Sequence, residues 1–268
     1  TALVDQLLVR GYAVRGMTRK PNGKKALALA ERGVEMVQGD YGDPESLQAA
    51  LSGVDGAFFY SGFSRNELQE GLNVIEAARA ADVAHLVYSS GAAAEPGAGM
   101  AGTAKMQVEQ ALVASQLPYT VLRPVAFMEN FRGQQARTYA EGVIDSRAPD
   151  RKVFFIAVED IGFFAAEAIA NPSDWMGRAV NISADEMTLA ELAETFSDVM
   201  DADIAYTRMP LEAYLDRFPK PMRPLFRWYD EVGYSVDTAR WRATYPALMT
   251  LQQYLRATGW EGWRPPAD

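Results

Sequence analysis

Short apolar runs rich in β-branched and aromatic residues alternate along this chain with longer segments of helical periodicity. The runs predict strands over Ala13–Thr18, Glu35–Gln38, Gly56–Tyr60, His85–Ser89, Tyr119–Arg123 and Val153–Ala157. Between them, Lys24–Arg32, Pro44–Leu51, Glu67–Ala81 and Thr103–Ser115 place apolar residues at helix spacing. Strand–helix alternation of this kind predicts an α/β fold with a doubly wound parallel sheet. Phe58-Phe59-Tyr60 and Leu86-Val87-Tyr88 are unbroken apolar runs, as expected of strands covered on both faces.

After Ala179–Ile182 the rhythm changes. Thr188–Met200 reads as an amphipathic helix and Ile204–Thr207 as a short strand; the remainder is helical and rich in Trp, Tyr and Pro. The expected organisation is a dinucleotide-binding domain over 1–150, a return segment to the sheet over 151–180, and a smaller α+β substrate cap over 181–268. The opening is unusual. Thr1–Arg10 is a helix pattern (Leu3, Val4, Leu7, Leu8) with Gly11 as its C-cap. In a Rossmann-like sheet the first helix follows a central strand and a Gly-rich turn whose N–H groups meet a pyrophosphate. Neither is found in this sequence. A sheet lacking its central strand leaves two buried edges unpaired. Two readings follow: residues precede Thr1 in the natural protein, or the topology begins with a helix.

Composition narrows the classes. No apolar run approaches the roughly 18 residues needed to span a bilayer. Cysteine is absent, which removes disulfides, thiolate catalysis and cysteine metal sites, and fits a reducing, cytoplasmic setting. The net charge of -9, with no broad basic face, argues against binding nucleic acid through its phosphates. His85 is the single histidine, so neither a zinc site nor a Ser-His-Asp triad is expected; it reads as a strand-edge residue away from the ligand side.

Candidate chemistry gathers at the carboxyl ends of the strands, where such sheets bind ligands. Arg15, Arg19, Lys20, Lys24 and Lys25 form a run with no acid until Glu31. A cation just past the second strand of a dinucleotide fold pairs with a 2′-phosphate and favours NADP(H) over NAD(H); the plainer reading is a solvated loop. Asp40, followed by Tyr41, can accept from an adenine amino group or serve a turn, and Asp43 before Pro44 reads as a helix N-cap. Tyr60-Ser61-Gly62-Phe63 ends a strand where Gly62 permits close backbone approach to a cofactor. Ser89 and Ser90 end another. Lys105 lies about one turn into the next helix, where its ammonium can donate to the ribose hydroxyls of a nicotinamide nucleotide, or simply face solvent. Ser90 and Lys105 are the catalytic candidates. Asp160 reads as the N-cap of a helix over Ile161–Ala170.

The series Val14-Arg-Gly-Met-Thr-Arg19, Gly33-Val-Glu-Met-Val-Gln-Gly-Asp40, Val87-Tyr-Ser-Ser90, Tyr119-Thr-Val-Leu-Arg-Pro124 and Phe127-Met-Glu-Asn130 resembles NmrA-like proteins, atypical members of the short-chain dehydrogenase/reductase superfamily. The resemblance runs on to Tyr245-Pro246 and Gly259-Trp260. It implies a Rossmann domain that binds NADP(H). By family pattern Arg19 would meet the 2′-phosphate, Asp40 and Tyr41 the adenine side, and Ser61 and Gly62 the middle of the cofactor; Lys24 and Phe63 beside them are further cofactor-binding candidates. Lys105 would serve the nicotinamide ribose, with Val125 and Phe127 flanking the ring; Ser89 and Pro124 are further cofactor-binding candidates. The usual dehydrogenase tyrosine, four residues before the lysine, is replaced by Ala101. That is in keeping with the family, which includes quinone and dye reductases and redox-sensing regulators.

A missing proton donor bears on the acceptor. Reducing a ketone creates an alkoxide, and loss of its acid typically costs about 10² to 10⁴ in rate. Reducing a quinone creates a phenolate-like anion, whose conjugate acid has a pKa of about 10 if it behaves as tyrosine does. The expectation is therefore an NADPH-dependent reductase of a quinone-like or other conjugated acceptor. The alternative is a non-catalytic NADPH/NADP+ sensor that acts through a protein partner. Asn130, Phe226, Trp228 and Tyr229, with Phe218, Tyr234, Met209 and Met222 nearby, either wall a flat apolar pocket or pack the cap core. Lys220, Arg223 and Arg227 would favour an anionic substrate or partner. Neither a metal nor a membrane is expected, and the protein is expected to be a monomer or homodimer.

Overall fold

The computed structural model describes residues 2–62, 65–94, 103–146, 152–233 and 235–265. Two compact units are formed. One comprises Thr1–Ala94, Gly102–Arg123 and Ile161–Val180; the other includes Pro124–Asp160 and Asn181–Asp268.

The first unit begins with helix α1 (Ala2–Val9), ended by Gly11 at φ 79°, with Tyr12 N–H donating to the Leu7 carbonyl. There follow β1 (Arg15–Thr18), α2 (Lys24–Ala30), β2 (Glu35–Gln38), α3 (Pro44–Leu51), β3 (Gly56–Tyr60), α4 (Glu67–Ala80), β4 (His85–Ser89), α5 (Ala104–Ala114) and β5 (Tyr119–Pro124). Local sequence sets these boundaries. Asp43 accepts from the Glu45 and Ser46 N–H groups, with Pro44 at the first helical position of α3. The strands are parallel: β1 pairs with β2, and a separate sheet runs β3-β4-β5-β9, where β9 is Arg178–Ile182. Among the described residues no strand joins β1 to β3. Every residue of β4 is buried, as its unbroken apolar run requires. Phe59 and Tyr88 stack at 4.6 Å between rings in a core shared with Val74, Val108, Leu112 and Val121.

Two glycines let helices approach closely. A Cβ on Gly71 of α4 would lie 2.4 Å from Cγ2 of Val108, a fully buried residue of α5. One on Gly162 would lie 2.6 Å from the Leu3 backbone nitrogen in α1.

The second unit contains β6 (Ala126–Phe127), α6 (Gln135–Glu141), β7 (Val143–Ser146) and β8 (Val153–Ile156). Helix α7 (Val158–Ala170) leads back into the first unit, followed there by α8 (Pro172–Trp175) and β9. The second unit resumes with β10 (Asp185–Met187), α9 (Leu189–Met200), β11 (Ala205–Arg208), α10 (Leu211–Leu215), α11 (Arg223–Glu231), α12 (Thr238–Thr244) and α13 (Leu251–Ala257). Capping boxes start α9 (Thr188, Glu191) and α13 (Thr250, Gln253). Its core is aromatic: Phe131 meets Phe155 and Phe196, and Phe196 meets Trp260, with the last two pairs at 5.1 Å.

Two expectations are corrected. The run at Val153–Ala157 does form a strand, but not in the parallel sheet of the first unit. β8 pairs parallel with β6 and antiparallel with β10, and β9 takes the place beside β5. A four-residue apolar run buried throughout carries no mark of which sheet it joins. Asp160 is not an N-cap, because α7 starts at Val158. The Glu129 carboxylate takes the Val158 N–H at 3.1 and 3.2 Å, so the helix start is satisfied from elsewhere in the chain. Asp160 instead accepts from the Met249 N–H at 3.1 Å.

Candidate functional site

The carboxyl ends of β1 to β4 carry two clusters of polar side chains. The first lies past β1 and β2. Arg19 is exposed, and its Nε is 4.0 Å from Oδ2 of Asp40. The other carboxylate oxygen of Asp40 accepts from the Gly42 N–H at 2.9 Å, so Asp40 both shapes its turn and faces Arg19. Tyr41 follows, its carbonyl accepting from Asn73 at 2.9 Å. Burial, with Tyr60 close by, pushes the Tyr41 phenol up to about 12, so it stays a hydrogen-bond donor. Lys20, Lys24 and Lys25 are exposed beside the start of α2. Arg15 leaves the basic run: its guanidinium donates to Glu35 and to the Ala50 and Ser52 carbonyls.

The second cluster is buried and joins four elements: β3, α4, β4 and α5. The Lys105 ammonium, in the first turn of α5, donates to the Ser61 carbonyl at 2.8 Å and lies 3.2 Å from Ser61 Oγ. It forms an ion pair with Glu67, the first residue of α4, at 2.9 Å, and both side chains are 8% exposed. Ser61 Oγ is 2.8 Å from Glu67 Oε1 and 2.7 Å from the Tyr88 hydroxyl. A serine hydroxyl has one proton and two lone pairs. The carboxylate can only accept, so the Ser61 proton goes to Glu67, and Ser61 accepts from Lys105 and Tyr88. Burial raises the Tyr88 phenol far above its ordinary value; the Ser61 hydrogen bond opposes this, and the charges of Glu67 and Glu109 add to it. Ser90 is buried, and among the described residues its hydroxyl makes no hydrogen bond of normal geometry, although it lies close enough to Tyr88 to influence its ionisation. Ser89 is buried at the end of β4, and Gly62 is exposed.

Beneath this cluster Arg123 of β5 clasps Glu109 of α5, with contacts of 2.6, 3.1 and 3.2 Å, in a second buried ion pair. His85 opens β4 inside the sheet. Thr120 Oγ1 donates to the Trp175 carbonyl at 2.8 Å and so accepts from His85 Nε2 at 2.9 Å. That network is structural.

Other candidates sit in the second unit. Pro124 and Val125 are buried, and Val125 N–H donates to the Ile182 carbonyl. Phe127 is 37% exposed at the end of β6, and Asn130 is exposed, its carbonyl accepting from Gln134. Phe226 of α11, half-buried, stacks on Phe218 with ring centroids 3.6 Å apart, both against Tyr214. Trp228 and Tyr229 are half-buried on the same helix, as is Met222 just before it. Phe63, Tyr234 and Ala101 lie outside the described residues. Among the described residues no His, Asp and Glu group is placed to hold a metal, and no helix is long and apolar enough to cross a membrane.

Sequence reasoning missed Glu67 and the Tyr88 hydroxyl. Glu67 was legible only as an acidic residue at a helix start, and Tyr88 only as one apolar position in a strand.

Comparison with known proteins gives the family. The model of the NmrA-like family matches residues 1–255. A (4-alkanoyl-5-oxo-2,5-dihydrofuran-3-yl)methyl phosphate reductase of Streptomyces griseus is 31% identical over 220 residues, covering 80% of this chain and 76% of that protein. Quinone oxidoreductase 2 of Escherichia coli is 28% identical over 190 residues, 70% of this chain and 66% of that protein. The fold also superposes on the Citrobacter sp. triphenylmethane reductase complexed with NADP(H). The TM-score is 0.82 at 24% identity, covering 96% of this chain and 95% of that one. The chain belongs to the NmrA-like family, among oxidoreductases that use NAD(P)H.

Proposed function

We propose that this protein is an NADPH-dependent reductase of a quinone-like or other conjugated acceptor. The observation that carries the reading is the fixed Lys105 ammonium at the carboxyl ends of β3 and β4, in a chain with alanine where a proton-donating tyrosine would stand. Relatives named for quinone and dihydrofuranone phosphate reduction support it.

The residues present fit a phosphorylated dinucleotide. Arg19 is an exposed cation with a carboxylate neighbour on one side only, suited to a 2′-phosphate through charge-assisted hydrogen bonds. Lys24, exposed beside it, adds positive charge. Asp40 and Tyr41 serve the adenine side, and the backbone of Ser61 and Gly62 the middle of the cofactor. Lys105 serves the nicotinamide ribose; Ser89 and Ser90 end β4, and the Ser90 hydroxyl is a buried polar group for which the cofactor or acceptor would supply a partner. When bound, the cofactor supplies a hydride. The chain supplies position and a positive charge: Lys105 stabilises negative charge developing on an acceptor oxygen. Tyr88 keeps its proton and is tied to Ser61, so it does not replace the missing acid directly. That suits an acceptor whose reduced anion needs little protonation.

The test is to mix the protein with NADPH and a panel of quinones and cationic dyes and follow loss of NADPH absorbance. Acceptor-dependent oxidation is expected. A protein that binds NADPH but oxidises it with none of them is instead a redox sensor.

A further inference from the structure

Glu67 is used by no step of the reading above, yet it is one of the most deeply placed charges in the first unit. Leaving a carboxylate in a helix's first turn under cover costs several kcal/mol unless a cation and hydrogen bonds meet it. Here both meet it: Lys105 at 2.9 Å, and the Ser61 proton at 2.8 Å. The Lys105 side chain is long and would ordinarily sample many rotamers. Among the described residues, three contacts hold its nitrogen: the Ser61 carbonyl at the end of β3, the Ser61 hydroxyl, and the Glu67 carboxylate. Glu67 makes two of these directional, because it takes the Ser61 proton and so turns an oxygen lone pair toward the ammonium. Tyr88 locks the same hydroxyl from the far side at 2.7 Å.

We infer that Glu67 is a positioning residue for Lys105: through its ion pair and the Ser61 hydroxyl, it fixes the ammonium at the strand ends where a nicotinamide ribose is held. The inference rests on the cofactor assignment above. It adds that the lysine's contribution depends on a carboxylate from another helix. Glu67 touches neither cofactor nor acceptor and acts through Lys105 alone.

A double-substitution cycle in NADPH affinity tests this, read by fluorescence titration of the intact protein. If the unaltered protein binds no NADPH, the cofactor assignment fails before any variant is made, and this inference falls with it. If it binds, Glu67→Gln is expected to weaken NADPH roughly tenfold, as loss of hydrogen bonding to a charged group does. Lys105→Gln is expected to weaken it at least as much. The pair together, Glu67→Gln with Lys105→Gln, should be no weaker than Lys105→Gln alone, because Glu67 has nothing left to position. The pair also leaves no unmatched buried charge and so retains the fold. Should Glu67→Gln not fold, Glu67→Asp keeps the charge but withdraws it by one methylene, and weaker NADPH binding is again expected. Tyr88→Phe is expected to weaken NADPH less than Glu67→Gln. Unchanged NADPH affinity in a folded Glu67 variant overturns the inference. So does a pair whose losses simply add.

Discussion

The hydroxyl of Ser61 is shared by three side chains, and its single proton sets the direction of the whole buried cluster. That geometry ties Lys105 to the strand ends and leaves Arg19, at the other cluster, exposed and available. Charge at Arg19 should therefore decide which nicotinamide cofactor binds. Arg19→Glu is expected to weaken NADPH by about tenfold or more while leaving NADH almost unaffected, since a cation–phosphate pair is replaced by repulsion. Parallel titrations with the two cofactors check this. Lys105 was legible in the sequence as a lysine one turn into the helix after a serine-ended strand, a position that takes its meaning from the family resemblance and not from spacing alone. Its partners were not. Ser61 and Lys105 are 44 residues apart, and Glu67 meets them only through the packing of one helix on another.

That packing belongs to α4 and α5, which approach closely because Gly71 has no side chain against Val108. Gly71→Ala would force a Cβ into a fully buried β-branched residue with no room to turn. A loss of about 1–3 kcal/mol is expected, seen as a lower denaturant midpoint. Because the same two helices carry Glu67 and Lys105, NADPH affinity should fall with it. Asp43→Ala removes a cap that serves two N–H groups of α3, at a cost of about 1 kcal/mol, without changing NADPH affinity. Helix limits were readable because the apolar spacing that marks a helix is local: α3, α4 and α5 fall within a residue of their expected bounds. Sheet membership was not readable. β8 is apolar at every position and joins β6 and β10, and β7, paired in parallel with β11, has no counterpart among the expected strands.

For the molecule as a whole, charge bears on stability through a few buried carboxylates rather than through the net balance. In the second unit Asp160 and Asp185 accept from the Met249 and Leu251 N–H groups and so anchor the start of α13. Burial raises Asp160 to about 6, with Glu159 and Glu129 adding to the effect and the Met249 N–H opposing it. A carboxyl raised in the folded state binds protons that the unfolded chain has already released. Its share of stability is thus full below about pH 4 and is lost as pH rises through about 6. A shift of that size corresponds to roughly 3 kcal/mol. Asp160→Asn keeps an acceptor for Met249 and should flatten this part of the stability profile between pH 4 and 7, measured by denaturant unfolding. The proposed chemical role rests on a narrower point, that a fixed lysine without a proton-donating tyrosine suits acceptors whose reduced anion needs no strong acid. The most direct measurement is single-turnover oxidation of bound NADPH by a quinone and by a simple ketone of similar size. The quinone is expected to react at least about 10²-fold faster, the typical cost of a missing proton donor. Equal rates with both, or no oxidation by the quinone in protein that binds NADPH, would contradict the account.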